Sequence, residues 1–150
     1  MATRHAHARW EGSLKEGKGQ VDFANGLFKG AYSFASRFEN GKGTNPEELL
    51  GAAHASCFAM ALSLMLGKAG FTPDFVDATA QVTIAEHDGG FRITRSQLRC
   101  EAKVPGIDEA AFRKHAEAAK AGCPVSQALA GTEITLEARL LEASPSRSHK

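Results

Sequence analysis

The chain has 150 residues, enough for one ordinary domain with a true core and too few for two comfortable ones, so residues 1–150 are expected to form one folding unit. Hydrophobic residues make up 43% and charged residues 23%, a globular balance that excludes a disordered or fibrous chain. Eighteen Lys and Arg against 17 Asp and Glu leave a formal charge of +1, which removes the global electrostatic case for a nucleic acid or an anionic membrane surface as partner.

The first ten residues, Met1-Ala-Thr-Arg-His-Ala-His-Ala-Arg-Trp10, carry charge with no apolar run behind it. That argues against a secretory signal and makes the cytoplasm the expected compartment. Cys57, Cys100 and Cys123 form an odd set with no CxxC, which argues against both a disulfide scaffold and a zinc ribbon. One redox pair plus one packing cysteine fits that count.

Alternating stretches at residues 5–10, 19–23 and 32–38, separated by segments such as Lys15-Glu-Gly-Lys-Gly19, predict a meander of short antiparallel strands. Asn45-Pro-Glu-Glu48 then signals a helix start: Asn45 can cap, Pro46 suits the first helical position and Glu48 completes a capping box. From there to about Lys68 apolar residues fall on nearly every face, so this helix is expected to be enclosed. A membrane span is the competing reading, but His54, Ser56, Cys57 and Ser63 interrupt the run, and enclosure by protein is preferred.

Gly70-Phe-Thr-Pro73 ends the helix, and residues 76–86 and 91–104 read as two strands joined at His87-Asp-Gly-Gly90. Leu98, Cys100, Ala102 and Val104 share one face of the second strand, opposite Arg95, Gln97, Arg99, Glu101 and Lys103, which makes Cys100 a buried filler. A helix is expected over residues 108–121, a short one over 124–130 and a last strand over 133–141, with a loose tail across 142–150. This order of elements is that of an α+β domain.

Two positions invite chemistry. Cys57 lies inside the long helix among Ala52, Ala53, Ala55, Ser56 and Ala59, small residues that allow close approach, although a small buried hydrophobe would serve there equally. Cys123 precedes Pro124 at a helix start, where free amides and the helix dipole favour a thiolate.

Asn45-Pro-Glu-Glu-Leu-Leu-Gly-Ala-Ala-His-Ala-Ser-Cys-Phe58 and Lys120-Ala-Gly-Cys-Pro-Val-Ser126, with Trp10-Glu-Gly12 and Ser36-Arg-Phe38, resemble the OsmC/Ohr family of thiol peroxidases, nearer its OsmC subgroup, from about Ala8 to Leu140. The resemblance implies an OsmC-like fold, with antiparallel sheets around a long buried central helix in an intertwined homodimer. It also implies reduction of organic hydroperoxides and hydrogen peroxide, with Cys57 as attacking thiolate and Cys123 as resolving thiol, the disulfide being recycled by an external dithiol. No metal or other cofactor is implied, and no membrane or nucleic-acid partner.

A thiolate inside a helix needs a fixed cation, and the resemblance puts Arg37 in that role with Glu47 as the acid that orients it. Taken alone, Arg37 and Glu47 read as a solvated charge and a dipole partner. Glu47 and Cys57 are ten residues apart, about 15 Å along one helix and about 80° around it, so they cannot meet within a straight helix. If the pair serves Cys57, a second subunit must bring it.

His54, one turn before Cys57, opens a rival reading as a Cys/His hydrolase or a zinc protein, though an orienting acid and a fourth metal ligand are missing from the sequence. A non-catalytic dimer carrying a lipophilic ligand is the other alternative. Phe34, Phe38, Phe58, Met60 and Met65 suit an apolar pocket and an ordinary interior equally well.

Overall fold

A computed structural model of the chain describes residues 1–142; the tail expected to be loose lies, from residue 143 on, outside the described residues. The chain forms two compact units, Met1–Leu49 and Leu50 onward.

The first unit is a meander of β1 (Ala6–Glu11), β2 (Lys18–Phe23) and β3 (Lys29–Tyr32), paired antiparallel in the order β1-β2-β3. Trp10, Gly19 and Tyr32 sit side by side across the three strands, and the two rings approach to 5.4 Å between centroids. A Cβ on Gly19 would come within 2.6 Å of both rings, so the missing side chain is what lets the aromatic pair close over the central strand.

The third alternating stretch departs from expectation. Residues 32–38 were expected to be strand, yet β3 ends at Tyr32 and α1 (Phe34–Phe38) follows. Ser33 caps it: its hydroxyl accepts from the Ser36 amide at 3.1 Å while Ser36 Oγ accepts from the Ser33 amide at 2.8 Å. That reciprocal capping box offers the backbone a local alternative to a sheet ladder. Phe34 and Phe38 stack at 5.0 Å, so a spacing of four that mimics strand alternation here serves a helix turn.

α2 (Pro46–Lys68) starts where the sequence placed it, with Asn45 Oδ1 accepting from the Glu48 amide at 2.7 Å and Pro46 in the first turn. A single chain encloses α2 only in part. Within the chain, α2 buries one stripe of the second unit, Gly51, His54, Phe58, Leu62 and Leu66, while Met60 and Leu64 are 76% and 59% exposed. By length and composition α2 could cross a bilayer, but this stripe belongs to a protein core.

That core is completed by β4 (Phe75–His87), β5 (Gly90–Lys103), α3 (Glu109–Gly122), α4 (Pro124–Ala128) and β6 (Glu133–Leu140). β4 and β5 form a hairpin through Asp88-Gly89, both at positive φ, as a tight two-residue turn requires. β6 joins the other edge of β5, giving the order β4-β5-β6, and it runs parallel to β5 rather than antiparallel as expected. The helices α3 and α4 are the crossover that a parallel pair demands.

Leu98, Cys100, Ala102 and Val104 all point into the core, with Phe58, Leu62 and Leu66 of α2 and Phe112, Ala116 and Ala119 of α3. Gly51 brings α2 close to the sheet, since a Cβ there would lie 3.1 Å from the Ala80 carbonyl oxygen.

Gly19→Ala is expected to destabilise the chain by about 1–3 kcal/mol through overpacking against Trp10 and Tyr32. Thermal unfolding followed by circular dichroism checks this; an unchanged melting temperature would contradict the packing described.

Candidate active site

Cys57 lies half-buried beside the α2 stripe, and Cys123 is fully buried at the break between α3 and α4. Cys123 closes α3, its amide donating to the Ala119 carbonyl at 2.9 Å, and Pro124 then opens α4. The turn brings the two thiols within hydrogen-bond reach of each other. All three cysteines are free thiols.

The pair is electrostatically unequal. Burial pushes the Cys57 thiol up, and its bond to Cys123 and the charge on that sulfur push it the same way, with only the Val125 amide opposing. Burial also works to raise Cys123, but it is outweighed by hydrogen bonds from the Cys57 thiol, from the amide and hydroxyl of Ser126 and from the Val125 amide, so Cys123 lies below the usual thiol range. Among the described residues, the groups that shift Cys57 include no cation. Within one chain these surroundings favour ionisation of Cys123 over that of Cys57.

Cys100 stands apart. It is 1% exposed in the core on β5, and burial, with Asp77 and Glu101 nearby, raises its thiol to about 11.

Arg37 and Glu47 meet in the first unit. Arg37 Nε donates to Glu47 Oε1 at 3.1 Å and Nη2 to Oε2 at 2.8 Å, a two-pronged contact that fixes the plane of the guanidinium. Glu47 is 7% exposed, and α1 and the first turn of α2 carry the two partners. Of the four residues singled out from sequence, the structure thus assembles two pairs, Arg37 with Glu47 and Cys57 with Cys123.

His54 is placed differently from the Cys/His reading. It is completely buried, with Nδ1 2.7 Å from Ser96 Oγ of β5 and Nε2 2.8 Å from Ser126 Oγ of α4. Both ring nitrogens are occupied by hydroxyls, which leaves neither for a Cys57 thiol or a metal. Burial holds the imidazole below its ordinary range, hence neutral near pH 7. Among the described residues no group of three His, Cys, Asp or Glu is assembled to hold a metal ion.

Ser96 and Ser126 were missed in the sequence. Ser96 shares the inward parity of Leu98 and Cys100, and a hydroxyl on that face was the available signal that a polar partner must be buried opposite it. Of the aromatic and Met residues weighed for a pocket, Phe58 is core and Met60 is exposed.

Residues 39–138 match the OsmC-like protein family. The chain belongs to that family. It is 54% identical over 138 residues to the peroxiredoxin OsmC of Escherichia coli K12, an alignment that covers 91% of this chain and 96% of that protein. An organic hydroperoxide resistance protein of Xanthomonas axonopodis pv. citri is 34% identical over 98 residues, 64% of this chain and 67% of the relative. Among solved structures, the OsmC-like protein of Mycoplasma pneumoniae superposes with a TM-score of 0.72 at 18% identity, covering 94% of this chain and 99% of its own. OhrB of Bacillus subtilis does so at 0.66 and 24%, covering 91% and 98%. Those two likenesses establish the OsmC/Ohr fold.

With its thiol raised to about 11, Cys100 is ionised in about one molecule per thousand at pH 8. Iodoacetamide added to the folded, reduced protein at that pH is expected to alkylate Cys57 and spare Cys100. Peptide mass spectrometry reads the outcome; rapid labelling of Cys100 would contradict its burial.

Proposed function

We propose that Cys57 is the peroxidatic nucleophile and Cys123 the resolving thiol of a peroxidase that reduces organic hydroperoxides and hydrogen peroxide. The enzyme is a thiol-dependent peroxidase of the OsmC family. The contact between the Cys57 and Cys123 sulfurs carries the residue assignment, because a sulfenic acid on one lies within reach of the other. The names of the relatives, a peroxiredoxin and an organic hydroperoxide resistance protein, support the same reaction class.

In the first step the Cys57 thiolate attacks the distal peroxide oxygen. An S–O bond forms, the O–O bond breaks, and the alkoxide takes up a proton and leaves as an alcohol. Cys123 then attacks the Cys57 sulfur, forming the disulfide and expelling water, before further peroxide can overoxidise the sulfenic acid. An external dithiol returns both residues to thiols by exchange. Every redox step is borne by sulfur, so the cycle needs no metal and no flavin.

Cys57 requires a cation, and among the described residues of its own chain none shifts it. The Arg37–Glu47 pair is preorganised, and ten residues of helix separate Glu47 from Cys57, so we assign the pair to the Cys57 of a second subunit. The exposed Met60 and Leu64 on α2 support a homodimer in which two such helices cover each other. Three free thiols suit the reducing cytoplasm, where a dithiol reductant is at hand.

One equivalent of cumene hydroperoxide added to reduced protein is expected to give a Cys57–Cys123 disulfide within one chain, mapped by non-reducing peptide mass spectrometry; unmodified thiols would reject the assignment. Cys57→Ser is expected to abolish turnover, whereas Cys123→Ser still forms one sulfenic acid and then stalls or overoxidises.

The subunit assignment has its own test. Arg37→Met and Cys57→Ser protomers are each expected to be inactive alone, while a co-expressed heterodimer holds one intact site of two and recovers about half the wild-type rate. An inactive heterodimer, or an active monomer in analytical ultracentrifugation, would overturn the shared site.

A further inference from the structure

The reaction as described makes no use of the one fully buried imidazole. His54 has no solvent contact, Ser96 is 1% exposed and Ser126 5%, yet the three side chains form a continuous hydrogen-bonded row from β5 through α2 to α4. The row does not stop at Ser126, whose hydroxyl also reaches the Cys123 sulfur. A buried polar chain is costly to assemble unless every member is satisfied, and among the described residues no buried side-chain nitrogen or oxygen lacks a partner.

Counting hydrogens limits what the row can do. Each serine hydroxyl owns one hydrogen and a neutral imidazole owns one N–H, so Ser96, His54, Ser126 and Cys123 admit two proton orders. In the first, Ser96 donates to Nδ1, Nε2–H donates to Ser126 Oγ, and the Ser126 hydroxyl donates to sulfur. In the second, every bond reverses: the Cys123 thiol donates to Ser126, Ser126 to Nε2, and Nδ1–H to Ser96. The first order suits a thiolate, which only accepts, and the second a protonated thiol. Attack on a sulfenic acid calls for a thiolate at Cys123, so the resolving step requires the first order.

We propose that His54 is a positioning residue for the resolving step, its imidazole clamped between Ser96 and Ser126 so that the single Ser126 hydroxyl hydrogen is turned onto the Cys123 sulfur. The proposal rests on the assignment of Cys123 as the resolving thiol. A serine hydroxyl rotates freely by itself; an N–H donor held at 2.8 Å on its far side occupies its lone pair and leaves its hydrogen directed at the sulfur. Ser96 holds the opposite nitrogen as an acceptor and so fixes the tautomer.

Among the described residues, the polar and titratable partners of this row can be named. Cys123 is met by the Cys57 thiol from α2 and by the amides and hydroxyl at the start of α4, and His54 by Ser96 from β5 and Ser126 from α4. None of them is a carboxylate or an ammonium. The depressed Cys123 thiol and the neutral His54 agree with the first proton order.

In the step it serves, the Cys123 thiolate attacks the Cys57 sulfur of the sulfenic acid. The S–S bond forms, the S–O bond breaks, and the departing hydroxide takes a proton from solvent and leaves as water. The two electrons were already removed from Cys57 by the peroxide. A thiolate ready at Cys123 shortens the life of the sulfenic acid and thereby protects Cys57 from a second equivalent of peroxide.

Single-turnover stopped flow with one equivalent of cumene hydroperoxide, run across about pH 5 to 9, separates formation of the sulfenic acid from its conversion to the disulfide. Ser126→Ala and His54→Asn both break the arm to Cys123, whereas the longer amide of His54→Gln places an N–H donor near the position of Nε2. In Ser126→Ala and His54→Asn the midpoint of the second phase is expected to move up by about one pH unit, and that phase to slow about tenfold at pH 7 relative to the first, the effect of losing one hydrogen bond to a charged acceptor. His54→Gln is expected to stay near the wild-type midpoint.

A midpoint unmoved in Ser126→Ala and His54→Asn overturns the proposal, whatever happens to the rates. Thermal melts identify a variant that has lost its fold, and Ser126→Ala, which removes a single oxygen, keeps the test open if His54→Asn is lost. Absence of a Cys57–Cys123 disulfide in the wild type, mapped on the same samples, overturns the assignment of Cys123 and this proposal with it. That failure is told apart because it needs no variant.

Discussion

The chemistry of the second unit depends on one packing constraint, the seating of the Gly51, His54, Phe58, Leu62 and Leu66 stripe of α2 among inward residues of β5 and α3. Residues three and four apart face the same side of a helix, so fixing this stripe fixes the rotation of every other α2 side chain. Cys57, next in sequence to Phe58, is turned to Cys123 as a result, and His54 falls between a serine on the sheet and a serine on α4. Gly51 belongs to the same constraint, because a larger residue would meet the β4 backbone and lift the helix start away.

Packing alone would make a poor peroxidase, since burial raises a thiol. The chain answers this at Cys123 with uncharged donors: two amides freed by the break at Pro124, a serine hydroxyl and the neighbouring thiol. At Cys57 the same donors are too few, and the sulfur stays protonated within a single chain. The first unit meanwhile holds a guanidinium locked by a carboxylate, with no thiol of its own.

Much of this was visible in the amino-acid order. Asn45-Pro46 announced α2 because a capping side chain and a proline act locally, and the inward parity of Leu98, Cys100 and Ala102 announced a one-sided strand because side chains alternate. What failed was one local signal outweighed by another, and whatever depended on distant partners. Tyr32 to Phe38 alternates like a strand, but Ser33 and Ser36 cap each other and the backbone turns helical. The apolar circumference of α2 counts the faces to be covered without saying which molecule covers them. Ser96 and Ser126 lie 42 and 72 residues from His54, and no local spacing reports a contact of that length.

The parallel pairing of β6 with β5 has a consequence for how the protein comes into being. An antiparallel hairpin such as β4–β5 can close as soon as its turn is made, whereas β6 must wait for the whole α3–α4 crossover to be synthesised. Ile134, Leu136 and Ala138, which anchor β6 to the core, are among the last residues of the fold to emerge from the ribosome. Until they dock, the core that seats α3 and Cys123 lacks its last strand. The meeting of Cys57 and Cys123 is thus completed late, with the closing strand.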